Sequence, residues 1–256
     1  MLHYTLTEKR ELTLVYIHGF CEDSRMWQYF IRGQKEKYQI LRVDLPGFGK
    51  SPAAGAGSLA DSAKAVEKIL RKEKIEKIIL IGHSMGGYVA LAFAELFPDY
   101  LRGLCLFHSH PFADSEESKE LRTRSAALVE TGGQSAYVSG LFRKIFPKDF
   151  PNKKLIEKMI RRANKYPAAG IAAGQRAMRD RPDRQKVLRK ADFPIQMIIG
   201  TEDTAVPLAQ SLQMTHLPAT ADIQILPGIG HMGMFEDGKQ TKKLLNNFVA
   251  FCEERF

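Results

Sequence analysis

Gly82-His83-Ser84-Met85-Gly86-Gly87 is the stretch whose reading decides the fold. The run before it, Ile75-Glu76-Lys77-Ile78-Ile79-Leu80-Ile81, is short and β-branched, the pattern of a buried strand. The run after it, Tyr88 to Phe97, is apolar almost all round and stopped by Pro98, the pattern of a buried helix. The segment therefore reads as strand, abrupt turn and helix, with a serine at the apex. Gly82 and Gly86 suit such a turn, because side chains two before and two after the serine would collide with neighbouring backbone. This is the G-x-S-x-G pattern of a nucleophile elbow, with a helix N-terminus beneath the serine to favour developing negative charge. A glycine-rich turn into a helix can also cradle a phosphate. A P-loop, however, needs Lys-Ser or Lys-Thr after its last glycine, and Tyr88 stands there; the dinucleotide pattern G-x-G-x-x-G is absent as well.

The 256 residues suffice for one α/β domain with an insertion. No apolar run reaches the roughly 18 residues of a membrane span. The N-terminus lacks a charged-then-apolar signal pattern and alternates like a strand, so a cytoplasmic location is expected. Cys21, Cys105 and Cys252 are scattered, odd in number and unlike any metal or disulfide spacing, which agrees with that expectation. Cys105 falls in a predicted strand and Cys252 in a predicted helix, where thiols serve packing. The net charge of +9 is concentrated, since residues 111–190 hold 19 Lys and Arg against 9 Asp and Glu. Such a surplus is ordinarily a solvated helical surface, and the sharper reading is attraction of an anionic substrate. The basic residues are not interleaved with aromatics, so no nucleic-acid partner is expected.

In chain order, Leu12–Ile17 is a strand running into His18-Gly19-Phe20-Cys21. Ser24 offers an N-cap for a helix through Met26, Trp27, Tyr29, Phe30 and Ile31. Gln39–Leu45 is a strand followed by the turn-dense Pro46–Pro52, and Ser58–Lys72 has helical spacing. Leu101–Phe107 is a fifth strand, leading to His108-Ser109-His110. About eighty residues then lack strand character: helices are expected from an Asp114/Glu117 capping box to Gly132-Gly133, over Ser135–Phe146, around Leu155–Ala163, and over Ala168–Arg179. Strands return at Pro194–Gly200 and Ala221–Leu226, with helices from Leu208 to about Thr215 and from beyond Gly233 to near Cys252. Buried strands alternating with helices imply an α/β fold, a doubly wound, mostly parallel sheet of seven or eight strands. The core comprises residues 1–110 and 191–256, and an all-helical insertion spans 111–190.

A serine hydroxyl needs an adjacent base, and that base an orienting group. Loops at the C-terminal ends of parallel strands are where such groups gather. His231 follows the last strand in a glycine-flanked loop; His108, His110 and His216 do not follow that strand. Asp203 stands three past Gly200, before the turn at Val206-Pro207, with Glu202 as its nearest rival. The order Ser84, Asp203, His231 is the one expected for this topology.

Together these segments resemble the α/β-hydrolase superfamily, close to its small capped esterase and peptidase-like members. The resemblance rests on His18-Gly19-Phe20, Asp44 to Ser51, Gly82 to Gly87, Gly200 to Asp203 and Gly230-His231, and spans nearly the whole chain. It implies that Phe20 and Met85 supply the backbone N–H groups of an oxyanion hole, each such donor typically worth about 3 kcal/mol to a transition state. It implies support roles for His83 and a structural role for Asp44 to Ser51. The single short N-terminal strand departs from relatives with a hairpin, and Cys21 is read either as pocket lining or as a second nucleophile. Cys21, Trp27, His108 and Met232 are expected to line the substrate pocket, and neither metal nor cofactor is called for.

The reading that follows is a serine hydrolase cleaving a carboxylic ester, lactone or thioester of a small molecule through an acyl-enzyme. One alternative is a carbon–carbon bond hydrolase or lyase acting on an anionic metabolite with the same triad; another is a ligand receptor on the same scaffold. Spacing does not reveal the natural substrate or the oligomeric state.

Overall fold

The computed structural model describes residues 1–54 and 57–255. Among these described residues seven strands form one sheet: β1 (Tyr4–Leu6), β2 (Thr13–Ile17), β3 (Gln39–Val43), β4 (Ile78–His83), β5 (Leu101–Phe107), β6 (Ile195–Gly200) and β7 (Ala221–Leu226). Their order is β1-β3-β2-β4-β5-β6-β7. β1 runs antiparallel to β3, and every other neighbouring pair is parallel. β2, β4 and β6 are buried at every residue, as predominantly apolar strands covered on both faces must be. β7 lies at the sheet edge and turns Ile223 and Ile225 outward.

Three helices, α1 (Gln34–Lys37), α2 (Leu59–Lys72) and α3 (Met85–Leu96), connect the first strands. α2 begins with a capping box, in which Ser58 Oγ accepts from the Asp61 N–H and the Asp61 carboxylate accepts from the Ser58 N–H. Its stripe of Leu59, Ala63, Val66, Ile69 and Leu70 is buried, and α3 is buried on all sides from Met85 to Ala94. After β5 come α4 (Glu116–Leu128), α5 (Gln134–Ile145), α6 (Lys153–Ala163), α7 (Ala168–Arg179) and α8 (Gln185–Lys190). Two short helices, α9 (Leu208–Leu212) and α10 (Gly233–Glu236), precede the long α11 (Gly238–Arg255).

The helices α4–α8 seat directly on the sheet domain. A Cβ on Gly47 would stand 2.6 Å from the Cα of Gly170, so the loop after β3 and the start of α7 touch backbone to backbone. Phe48 packs edge-on against both Phe20 and Tyr166, with ring centroids 5.7 Å apart in each pair.

Several local expectations change. The helix expected from Ser24 to Ile31 is a single 3-10 turn, Ser24–Trp27, capped by Asp23, whose side chain accepts from the Arg25 N–H at 2.9 Å. Tyr29 is exposed, so the run has no continuous apolar face. The elbow strand starts at Ile78, because Lys74 turns left-handed and the Ile75 N–H donates to the Leu70 carbonyl, closing α2. The capping box assigned to Asp114 and Glu117 is absent. Ser115 caps α4, accepting from the Ser118 N–H, while the Asp114 side chain is drawn to Arg122 and Arg181. The short helices α1 and α8 have no counterpart among the helices expected from the sequence.

Candidate active site

Ser84 stands between β4 and α3 with φ 51° and ψ −116°, a conformation that side chains rarely adopt. Its surroundings hold it there. The Ser84 N–H donates to the Phe107 carbonyl at 3.0 Å, and the Ser84 carbonyl accepts from Ser109 Oγ at 2.8 Å and the Gly87 N–H at 2.9 Å. The turn admits only glycine at its flanks. A Cβ on Gly82 would lie 2.4 Å from the Gly86 carbonyl oxygen, and one on Gly86 would lie 2.6 Å from those of Ile17 and His18.

Asp203 follows β6 and is locked by its own turn, Oδ1 accepting from the Ala205 and Val206 N–H groups, both at 2.8 Å. The other oxygen, Oδ2, lies 2.8 Å from His231 Nδ1. Glu202, its rival in the sequence, points to solvent. The loop carrying His231 is clamped from below by Glu236, which accepts from the Gly230 and Met232 N–H groups at 2.6 and 2.8 Å. Ser84 and His231 line one cavity.

Burial alone would depress the His231 pKa, but the charge and hydrogen bond of Asp203, aided by Glu22 and Glu236, outweigh it and leave it above the ordinary 6.5. Asp203 is desolvated too, and the charge of His231 with bonds from His108 and His231 holds it far below the usual carboxylate range. His108 Nδ1 stands 3.4 Å from the same Oδ2, yet burial dominates there and lowers its pKa to about 4, so it stays neutral.

A second buried pair sits beside this one. His83 Nε2 lies 3.0 Å from the His231 carbonyl, and His83 Nδ1 lies 3.2 Å from Glu22 Oε2. Because a carbonyl only accepts, His83 Nε2 donates to it, which leaves Nδ1 facing Glu22. Glu22 Oε2 also accepts from the Gly19 N–H, which fixes the turn leading to Phe20.

The cavity over Ser84 measures about 110 Å³. Its floor is Ser84, His231, His83, Glu22 and Phe20. Leu141, Ile145 and Met178 give it an apolar wall, and Arg122, Tyr137 and Gln175 a polar one. None of the four expected lining residues is among those that form it. Trp27 is fully buried behind His83, packed on Tyr16, Phe30 and Phe107. His108 lies behind Asp203, and Met232 is buried with its N–H on Glu236. Cys21 lines a separate cavity of about 50 Å³ with Asp23 and Arg25, and burial, then Glu22, raises its thiol well above the ordinary value. The second-nucleophile reading of Cys21 therefore has no geometric support. Glu22, Arg122, Tyr137 and Gln175 were not singled out from the sequence. Glu22 was within reach, two residues past Phe20 in the same turn, but the other three stand on different helices with no shared pattern.

A model of the alpha/beta hydrolase fold family matches residues 13–238. The chain is 27% identical over 224 residues to a 2-succinyl-6-hydroxy-2,4-cyclohexadiene-1-carboxylate synthase of an Enterobacter species, covering 85% of this chain and 84% of that protein. It is 24% identical over 251 residues to a pimeloyl-(acyl-carrier protein) methyl ester esterase of Methylococcus capsulatus, with 95% and 97% covered. A thermophilic esterase from Thermogutta terrifontis, solved with malate bound, superposes with a TM-score of 0.92 at 27% identity, over 98% of this chain and 93% of that one.

Proposed function

Because the chain belongs to the alpha/beta hydrolase fold family, we propose that it is a serine hydrolase of small carboxylic esters, lactones or thioesters that works through an acyl-enzyme on Ser84. The observation that carries this reading is the 2.8 Å contact of Asp203 with Nδ1 of His231, the histidine that lines one cavity with Ser84.

With Nδ1 engaged by Asp203, His231 presents Nε2 as the free base. It takes the Ser84 proton as Oγ attacks the acyl carbon, and the resulting imidazolium is stabilised by Asp203. The tetrahedral oxyanion is met by the backbone N–H groups of Phe20 and Met85. Two contacts support that pairing. Gly86 packs its backbone on Ile17 and His18, bringing the first turn of α3 against the turn that leads to Phe20, and Glu22 holds the Gly19 N–H of that turn. Collapse expels the alcohol or thiol, which takes the proton back from His231. Water, deprotonated by His231, then attacks the acyl-enzyme and releases the acid. The helices α4–α8 act as a cap that closes the cavity and excludes bulk water.

A second reading, a carbon–carbon bond hydrolase or lyase on an anionic metabolite, is favoured by Arg122 in the cavity and by the synthase relative. It uses the same three residues for proton transfer. Three buried, unpaired cysteines support a reducing, cytoplasmic setting, and among the described residues no helix is long and apolar enough to cross a membrane.

The test is turnover of p-nitrophenyl acetate and butyrate by wild type and Ser84→Ala, with intact-mass detection of an acyl adduct. Turnover falls to background in the variant and the wild type carries the adduct; undiminished turnover in Ser84→Ala rules the reading out.

A further inference from the structure

The cavity over Ser84 has one wall that is polar and carries charge. Arg122 from α4, Tyr137 from α5 and Gln175 from α7 meet there. They form a chain of contacts: Gln175 Nε2 donates to the Tyr137 hydroxyl, and Gln175 Oε1 accepts from Arg122 Nη1 at 3.3 Å. Behind this wall the charges do not cancel. Asp114, its side chain 5% exposed, accepts from Arg122 Nε and lies 2.6 Å from Arg181 Nη1. Among the described residues Arg181, 3% exposed, otherwise meets neutral groups: the carbonyls of Phe112 and Met178, and the face of Tyr88 at 4.1 Å. Two guanidinium groups thus share one carboxylate, leaving a surplus positive charge at a largely dehydrated site. A charge in that setting is costly without an anionic partner. His110 beside it does not add to the surplus, since burial, then Arg181 and Arg122, keep it neutral, with a pKa near 3. Glu22, on the cavity floor, is engaged with His83.

We propose that Arg122, oriented by Gln175 and Tyr137, is a carboxylate-binding subsite, and that the substrate is a short ester, lactone or thioester carrying a carboxylate a few atoms from its scissile carbonyl. The inference rests on the hydrolase reading of Ser84 and deepens it. Guanidinium is suited to a carboxylate because its planar donors match two oxygens at once. The apolar stretch of Leu141, Ile145 and Met178 suits a short methylene spacer between the two ends. The small cavity suits a small molecule. With Arg122 on the helical wall and Ser84 on the floor, the carboxylate of the substrate turns toward the helices and its ester toward Ser84.

The experiment compares monomethyl succinate with methyl levulinate, in which a methyl ketone replaces the carboxylate at nearly the same size, by pH-stat. In the wild type, kcat/KM favours the anionic ester by roughly ten- to hundredfold, the range a charge-assisted hydrogen bond supplies. Arg122→Gln collapses that ratio toward one, and Arg122→Lys keeps part of it. A wild-type ratio near one overturns the subsite, as does an Arg122→Gln variant that lowers both rates while keeping the ratio. Succinate titrated calorimetrically into the wild type and both variants gives a readout that needs no turnover. Binding that depends on Arg122 upholds the subsite even if neither ester is cleaved, in which case only the hydrolase reading falls. Binding that is absent in wild type, or equal in Arg122→Gln, overturns the subsite while Ser84-dependent hydrolysis of p-nitrophenyl acetate leaves the hydrolase reading standing.

Discussion

Gly86 lies so close to the end of β2 that a Cβ would stand 2.6 Å from the carbonyl oxygen of Ile17. This single approach ties the first turn of the helix under Ser84 to the strand that delivers Phe20. The relation between the two backbone segments is therefore set by packing of main chain on main chain.

Gly86→Ala should accordingly cost about 3 kcal/mol or more of stability, because neither neighbouring atom is the end of a flexible side chain. Urea melts measure it. Wild-type stability in this variant would mean that the turn is not packed as described.

The elbow and the residues facing it were legible because each is announced locally. Ser84 sits between two glycines that the turn requires, Asp203 a few residues past one strand, and His231 in a glycine-flanked loop past the next. The sheet was legible for the same reason, since β2, β4, β5 and β6 are short, predominantly apolar runs bounded by turn residues. The pocket was not. Trp27 follows the turn at Phe20 and Met232 follows His231, yet both turn into the core, and His108 adopts φ 48° to stand behind Asp203. Arg122, Tyr137 and Gln175 converge only because α4, α5 and α7 pack together, and convergence across three helices leaves no trace in spacing. Asp114 fits a cap by position, but Arg122 and the buried Arg181 outcompete a backbone N–H for its carboxylate.

Activity should depend on pH through His231. In the proposed mechanism the base works as neutral imidazole, and the His231 pKa is raised above 6.5 against the effect of burial by Asp203. kcat/KM therefore falls on acidification, with a midpoint above 6.5. Asp203→Asn removes the main raising influence, so the acid limb moves to lower pH while the rate drops by about 10⁴. An unmoved limb would separate His231 from Asp203. Stability follows the opposite signs. The raised His231 stabilises the fold at low pH and loses that effect as pH rises through its folded value, whereas the lowered Asp203 stabilises above its ordinary value of 3.8 and loses that effect on acidification.

Asp114→Ala should destabilise the protein by about 3–5 kcal/mol, since it leaves Arg181 and Arg122 confronting each other without a carboxylate. Adding Arg122→Gln to that background should recover part of the loss. Thermal or chemical melts of the two single variants and the double variant give the coupling, and strict additivity would remove Asp114 from the arginine pair.

Thiol reagents should spare the folded enzyme. Cys21, Cys105 and Cys252 are all free and buried. Ellman's reagent is expected to report none before denaturation and three after, with ester turnover unchanged by prior exposure. Rapid modification of Cys21 with loss of activity would return it to the site.

The most direct measurement is labelling of the native protein with a fluorophosphonate, followed by mass spectrometry of the peptides. One adduct is expected, on Ser84, formed faster as His231 loses its proton and abolished in His231→Ala. A folded protein left unlabelled at Ser84, or labelled at another residue with Ser84 untouched, would rule out Ser84 as the nucleophile.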